Sequence, residues 1–251
     1  MPINLKSARE IAVMQQAGRV VATVLAEIEE KLAPGQTTKR VDEIAERTVA
    51  RLGAKASFKG LYGFPASICI SINEEIVHGI PSPGRVLKEG DIVSLDFGAY
   101  LDGLHADAAV TLPVGKVSEE ARRLLSCCRT ALERGIAQAR PGKRLGDISW
   151  AIQSYGEAKG YGIVRQYVGH GVGRTLHEEP QVPNVGQPGR GVALRPGMTL
   201  AIEPMLNVGT EKTAVLDDKW TVVTEDRKLS AHFEHTVAIT EGEPLVLTRL
   251  A

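Results

Sequence analysis

Residues 90–112 read GDIVSLDFGAYLDGLHADAAVTL. They form two strands joined at Asp102-Gly103, a two-residue turn in which both residues take positive φ and the strongest short-range hairpin signal. With that turn, paired residue numbers sum to 205, so Leu101 faces Leu104, Gly98 faces Asp107 and Asp96 faces Ala109. Side chains alternate along a strand. Val93, Leu95, Phe97, Leu104, Ala106, Ala108 and Val110 therefore share an apolar face, and Ser94, Asp96, Tyr100, His105, Asp107 and Thr111 share the other. Asp96 and Asp107 are diagonal neighbours, about 7–8 Å apart at the backbone. Two like charges that close either force a proton onto one of them or hold a cation between them.

The chain of 251 residues is long enough for one large domain or two small ones. Lys+Arg and Asp+Glu balance at 30 each, which removes the basic field that holds nucleic acid by its phosphates. Of three cysteines, Cys127 and Cys128 are adjacent on a predicted helix, so no disulfide scaffold is expected and a reducing compartment is. MPINLKSAREIAVM has no apolar signal core, and no run of 18 apolar residues occurs. These features predict a cytoplasmic protein with neither membrane nor nucleic-acid partners.

Outward from the hairpin, the pattern repeats. Ser7 and Glu10 make a capping box before a long amphipathic helix that Pro34-Gly35 ends, and a second helix runs from about Thr38 to Leu52. Ser67 to Asn73 reads as a strand. Beyond the hairpin, Ser118 caps another long helix that stops at Pro141-Gly142, and a shorter helix follows from about Asp147 to Lys159. The two Pro-Gly pairs lie 107 residues apart, and the same shift lays LKEGDIVSLD, Leu87 to Asp96, on LRPGMTLAIE, Leu194 to Glu203. We therefore expect two intertwined halves of one domain, about 1–112 and 113–251, with Asp96 and Glu203 ending equivalent strands. Duplication also predicts a partner for Asp107. In LSAHFEHTVAIT, alternation puts His232, Glu234, Thr236 and Ala238 on one face, and the second hairpin needs about 20 extra loop residues to place Glu234 there.

Asp96, Asp107, Glu203 and Glu234 are thus expected at one place. Each unpaired ion taken out of water costs several kcal/mol, and two divalent cations would balance four carboxylates. A mainly oxygen ligand set suits Mn, Fe(II), Co or Zn. A metal pair is the geometry of hydrolases that acidify water into a nucleophile at neutral pH. His170 and His177 lie among glycines in GHGVGRTLHEEP, where the backbone can approach closely, and His78 ends a strand beside a loop. There is no GxSxG elbow, and Cys69 lacks the setting of a nucleophile.

ISINEEIVHGIPS, LDFGAYLDGLHADAAVT, GHGVGRTLHEEPQVP, LAIEPM and FEHTVAIT together resemble the type I methionine aminopeptidases of the creatinase/prolidase superfamily over essentially the whole chain. That resemblance implies an α+β "pita-bread" fold, with duplicated helix-helix-sheet halves around a curved antiparallel sheet. It implies two divalent ions (Co, Mn, Fe(II) or Zn) held by Asp96, Asp107, His170, Glu203 and Glu234, with Asp107 and Glu234 bridging. Glu203 would handle the proton of the attacking water, and His78 and His177 would hold the scissile amide. Phe64, Cys69 and Trp220 occupy the family's methionine-pocket positions, with Phe58, Leu61 and Tyr62 nearby. Leu176 and Leu61 stand where aromatic residues are common. The implied reaction removes the initiator methionine from nascent chains, which could be met at the ribosome, when the second residue is small; a monomer is expected. Two alternatives stand beside this reading: a proline-specific peptidase of the same fold, and a non-enzymatic binding protein on it.

Overall fold

The structure, a computed structural model, describes residues 3–250. Helix α1, Ala8–Lys31, starts on the expected box: Ser7 Oγ accepts the Glu10 N–H at 3.3 Å while the Glu10 carboxylate accepts the Ser7 N–H at 2.8 Å. Two donors that every helix start leaves free are thereby satisfied. Helix α2, Thr38–Arg51, is capped by Thr37, and α3, Glu119–Ala137, by Ser118. Helix α4, Leu145–Ala158, begins two residues before the expected Asp147. Asp147 lies in its first turn. Its carboxylate reaches back three residues to accept the Arg144 N–H at 2.7 Å.

All ladders are antiparallel. Ile92–Leu101 pairs with Leu104–Pro113 in the register read from the turn, with Asp102 at φ 47° and Gly103 at φ 88°. Cys69–Ile72, a trimmed version of the expected 67–73 strand, lies on the other side of Ile92–Leu101. The second hairpin differs from expectation. Its strands are each broken in two: Thr199–Ile202 pairs with His235–Ala238, and Met205–Asn207 pairs with Ser230–His232. The interruptions fall at Glu203-Pro204 and Phe233-Glu234, where proline brings no N–H to a ladder. Glu203 therefore follows a strand end, whereas Asp96 sits inside a ten-residue strand.

The shift of 107 residues recurs in the hydrogen bonding. The isolated bridge Thr37–Val86 has a counterpart in Arg144–Ala193. Leu87 N donates to Gln36 O at 2.8 Å, and Leu194 N to Lys143 O at 2.9 Å. The extra residues of the second half are more than a loop. They include the hairpin Thr213–Val215 and Val222–Thr224, whose second strand adds to Glu75–Val77 of the first half.

One large apolar cluster joins α1 and α2 to the first hairpin, and another joins α3 and α4 to the second. Helix α1 is long and apolar enough to cross a membrane, but here it is a core helix on which Met14, Val21 and Ile28 have no exposure. Burying each such side chain is worth about 1.5–3 kcal/mol.

The halves meet where Leu104–Pro113 runs beside residues 230–238. Glu234 N donates to Ala109 O at 2.9 Å. On one side of that pair Thr236 Oγ1 accepts the Asp107 N–H and donates to the Asp107 carbonyl, both at 2.8 Å. On the other side Thr111 Oγ1 accepts the His232 N–H at 2.8 Å and donates to the His232 carbonyl at 2.7 Å. Each threonine hydroxyl replaces a pair of ladder bonds. A buried donor or acceptor left unmade costs about 1–3 kcal/mol. Thr111→Val and Thr236→Val should each lower the unfolding free energy of the metal-free protein by about that amount in a urea titration; parent stability in both would show that the hydroxyls do not hold the seam.

Candidate functional site

The seam brings the polar face of the first hairpin against Glu203 and Glu234, at the bottom of a cavity of about 610 Å³. Asp107, His170 and Glu234 each present one ligand atom within 4.8 Å of the others. The Asp96 and Asp107 carboxyls lie within hydrogen-bonding reach of each other. Glu203 is flanked on both oxygens: His170 Nε2 is 3.6 Å from Oε1 and His232 Nε2 is 3.6 Å from Oε2. Thus the five residues expected as ligands stand together.

Their electrostatics ask for a cation. Burial first, then the neighbouring carboxylates, pushes Asp96, Glu203 and Glu234 well above the usual carboxyl range. Burial alone raises Asp107 to about 7. Asp96 Oδ1, Asp107 Oδ1 and Glu234 Oε1 are buried without a hydrogen-bond partner. Unpartnered buried oxygens of this kind are rare in folded proteins, and an oxygen-rich set with one imidazole fits a divalent first-row ion.

His170 is built for ligation by its backbone. A Cβ on Gly169 would lie 2.3 Å from Ala201 O, and one on Gly171 2.2 Å from Glu179 O, so only glycines let this short strand sit between its neighbours. His170 Nδ1 lies 2.8 Å from Gly171 O and donates to it, which leaves Nε2 unprotonated toward the acids. Burial lowers its pKa to about 4, so the ring is neutral at pH 7.

The other two expected histidines line the same cavity. His78 follows the strand Glu75–Val77 at φ 62°, a left-handed conformation that turns its ring toward Tyr167 and Trp220. Burial also brings it to about 4. His177 meets His170 edge-on at 4.5 Å and stacks on Tyr62 at 6.1 Å. Phe64 and Trp220 contact edge-to-face at 5.2 Å, and with Phe58, Ala66, Cys69 and Leu176 they make a small apolar cluster beside the acids. Cys69 pairs with Asp96 across the sheet, and its thiol is pushed well up by burial and by the nearby acids. It lines the cavity as a protonated thiol. His105 bonds Ser57 Oγ and His235 bonds Thr248 Oγ1, both outside the cavity lining.

Two residues of the site were not anticipated. Tyr167 lies in a bend with no periodic signal. His232 was legible, because alternation put it on the face of Glu234, two residues away.

The profile of metallopeptidase family M24 matches residues 12–241. Methionine aminopeptidase 1 of Bacillus subtilis is 52% identical over 248 residues, covering 99% of this chain and 100% of its own. A crystal structure of methionine aminopeptidase from Thermotoga maritima superposes with a TM-score of 0.98 at 47% identity, covering 99% of this chain and 100% of that one. An Xaa-Pro dipeptidase from Bacillus anthracis shares the fold alone: TM-score 0.79, 23% identity, 98% of this chain but 62% of the other. A match that spans nearly the whole chain on a site of buried carboxylates leaves one assignment: the chain belongs to metallopeptidase family M24.

Proposed function

We propose that this protein removes the N-terminal methionine from nascent polypeptides whose second residue is small and uncharged, in the cytoplasm and as a monomer. The observation that carries this reading is the placement of four carboxyls, Asp107 and Glu234 buried and Asp96 and Glu203 half-buried, and a neutral imidazole beside a compact apolar pocket. Relatives at half identity over their full length bear the name of that activity, and the likeness to an Xaa-Pro dipeptidase reaches the fold only.

Asp96, Asp107, His170, Glu203 and Glu234 would hold two divalent ions, of Co, Mn, Fe(II) or Zn. Asp107 and Glu234 each present a carboxylate oxygen in one cluster with His170, so both would contribute oxygen ligands there. When bound, such ions supply Lewis acidity that activates water and polarises a carbonyl. Glu203 would take the proton of the attacking water and pass it to the departing amine, so that water is consumed and the first peptide bond breaks. His177 and His78, both held neutral by burial, can donate to the carbonyl oxygen as negative charge develops on it. Phe64, Cys69 and Trp220 would enclose the methionine side chain, a flexible thioether that fills irregular apolar space well.

The direct test is release of methionine from Met-Ala-Ser by Mn(II)- or Co(II)-loaded protein, with Ala-Pro and Xaa-Pro peptides as controls. Turnover of the proline peptides alone would replace this reading, and no turnover of any would return the chain to a binding role. His177→Ala should lower kcat by about 10²–10⁴-fold at unchanged metal content; loss of metal would move His177 among the ligands. Raised carboxyl pKa values mean that the metal-free site holds protons up to about pH 7 at Asp107, and a cation must displace them. Affinity should therefore fall as pH drops below about 7, and calorimetry at pH 6.5 in buffers of different ionisation heat should detect released protons. Buffer-independent heats would contradict it.

A further inference from the structure

His232 is 1% exposed, and neither ring nitrogen has a hydrogen-bond partner. A neutral imidazole carries one N–H and one acceptor, and an unmade buried N–H costs about 1–3 kcal/mol. In either protonation state the ring carries at least one N–H that needs an acceptor. Its backbone is fixed by the Thr111 hydroxyl on one edge and by pairing with Met205 on the other. The nearest charged group to Nε2 is Glu203 Oε2 at 3.6 Å, while the opposite oxygen, Oε1, faces His170 Nε2. That gap exceeds the 2.7–3.2 Å of an N–H···O bond by less than an ångström, within the reach of a rotamer adjustment of Glu203.

We propose that His232 is a positioning residue for the metal site: its Nε2–H holds Glu203 Oε2, so that Glu203 turns Oε1 alone toward a cation beside His170. The inference rests on the metal-binding reading above but not on the substrate. His232 is not itself a ligand in this account: its Nε2 faces Glu203 Oε2, the oxygen turned away from His170. The ring sets the direction and basicity of the carboxylate instead. Outer partners of this kind are worth about 10–100-fold in metal affinity.

The test measures Mn(II) binding to the metal-free protein by calorimetry, together with the visible spectrum of the Co(II)-loaded protein. His232→Ala should weaken Mn(II) by about 10–100-fold and alter the Co(II) spectrum. His232→Gln keeps an N–H donor on the same backbone position and should restore both. Parent-like affinity in His232→Ala, or a folded His232→Gln no better than alanine, overturns the proposal. Should either variant fail to fold, nitrogen-15 spectra of the unsubstituted protein with labelled histidine decide it: a ring protonated at Nε2 supports the hydrogen bond, and one protonated at Nδ1 overturns it. Methionine release by the parent is followed in parallel. A parent that binds Mn(II) but frees no methionine would sink the substrate assignment and leave His232 in place, whereas normal release with an indifferent His232→Ala would do the reverse.

Discussion

Mutual repulsion among four carboxyl groups in one buried cavity is the constraint that the rest of this structure accommodates. Left as bare anions they would oppose folding, because the low-dielectric interior strengthens like-charge repulsion and removes the water that would screen it. The fold keeps them together through the backbone, with no cationic side chain between them. Ala109 and Glu234 pair directly, and two threonine hydroxyls complete the seam on either side. The acids are thus held by groups that carry no charge themselves, and their negative potential stays available for a cation.

Much of this was legible in the sequence, and the reason is local. A turn of Asp-Gly fixes register, register fixes faces, and faces put Asp96 beside Asp107 without any knowledge of the remaining chain. The capping box at Ser7, the serine cap at Ser118 and the Pro-Gly stops similarly fix helices from short-range chemistry. What was misjudged depends on longer-range geometry. Pro204 interrupts a strand that alternation alone would carry through Glu203, and the gap opposite it splits the segment around Glu234. Helix α4 starts two residues ahead of Asp147, whose carboxylate reaches back to the Arg144 N–H, a contact that leaves no apolar periodicity to mark the helix start. His232 lay on the anticipated face, but nothing in the sequence shows that its ring nitrogens are unpartnered or that Glu203 Oε2 lies 3.6 Å from one of them.

The two halves share their helix pairs and their hydrogen-bond bridges at a constant offset, yet the site draws unlike pieces from each. Aspartates come from an unbroken hairpin, glutamates from an interrupted one. His170 adds a nitrogen from a glycine-flanked strand of the second half that has no counterpart used in the first.

The small hairpin Thr213–Val215 and Val222–Thr224 has a bearing on how such a site could be altered. It is anchored on Glu75–Val77, and it carries Trp220 to the edge of the apolar cluster. On the reading proposed above, Trp220 would bear on side-chain preference from a segment that supplies none of the acids. A protein engineer could exchange the tip between residues 215 and 222 to admit a bulkier or more polar terminal amino acid, leaving the charged chamber beneath it undisturbed.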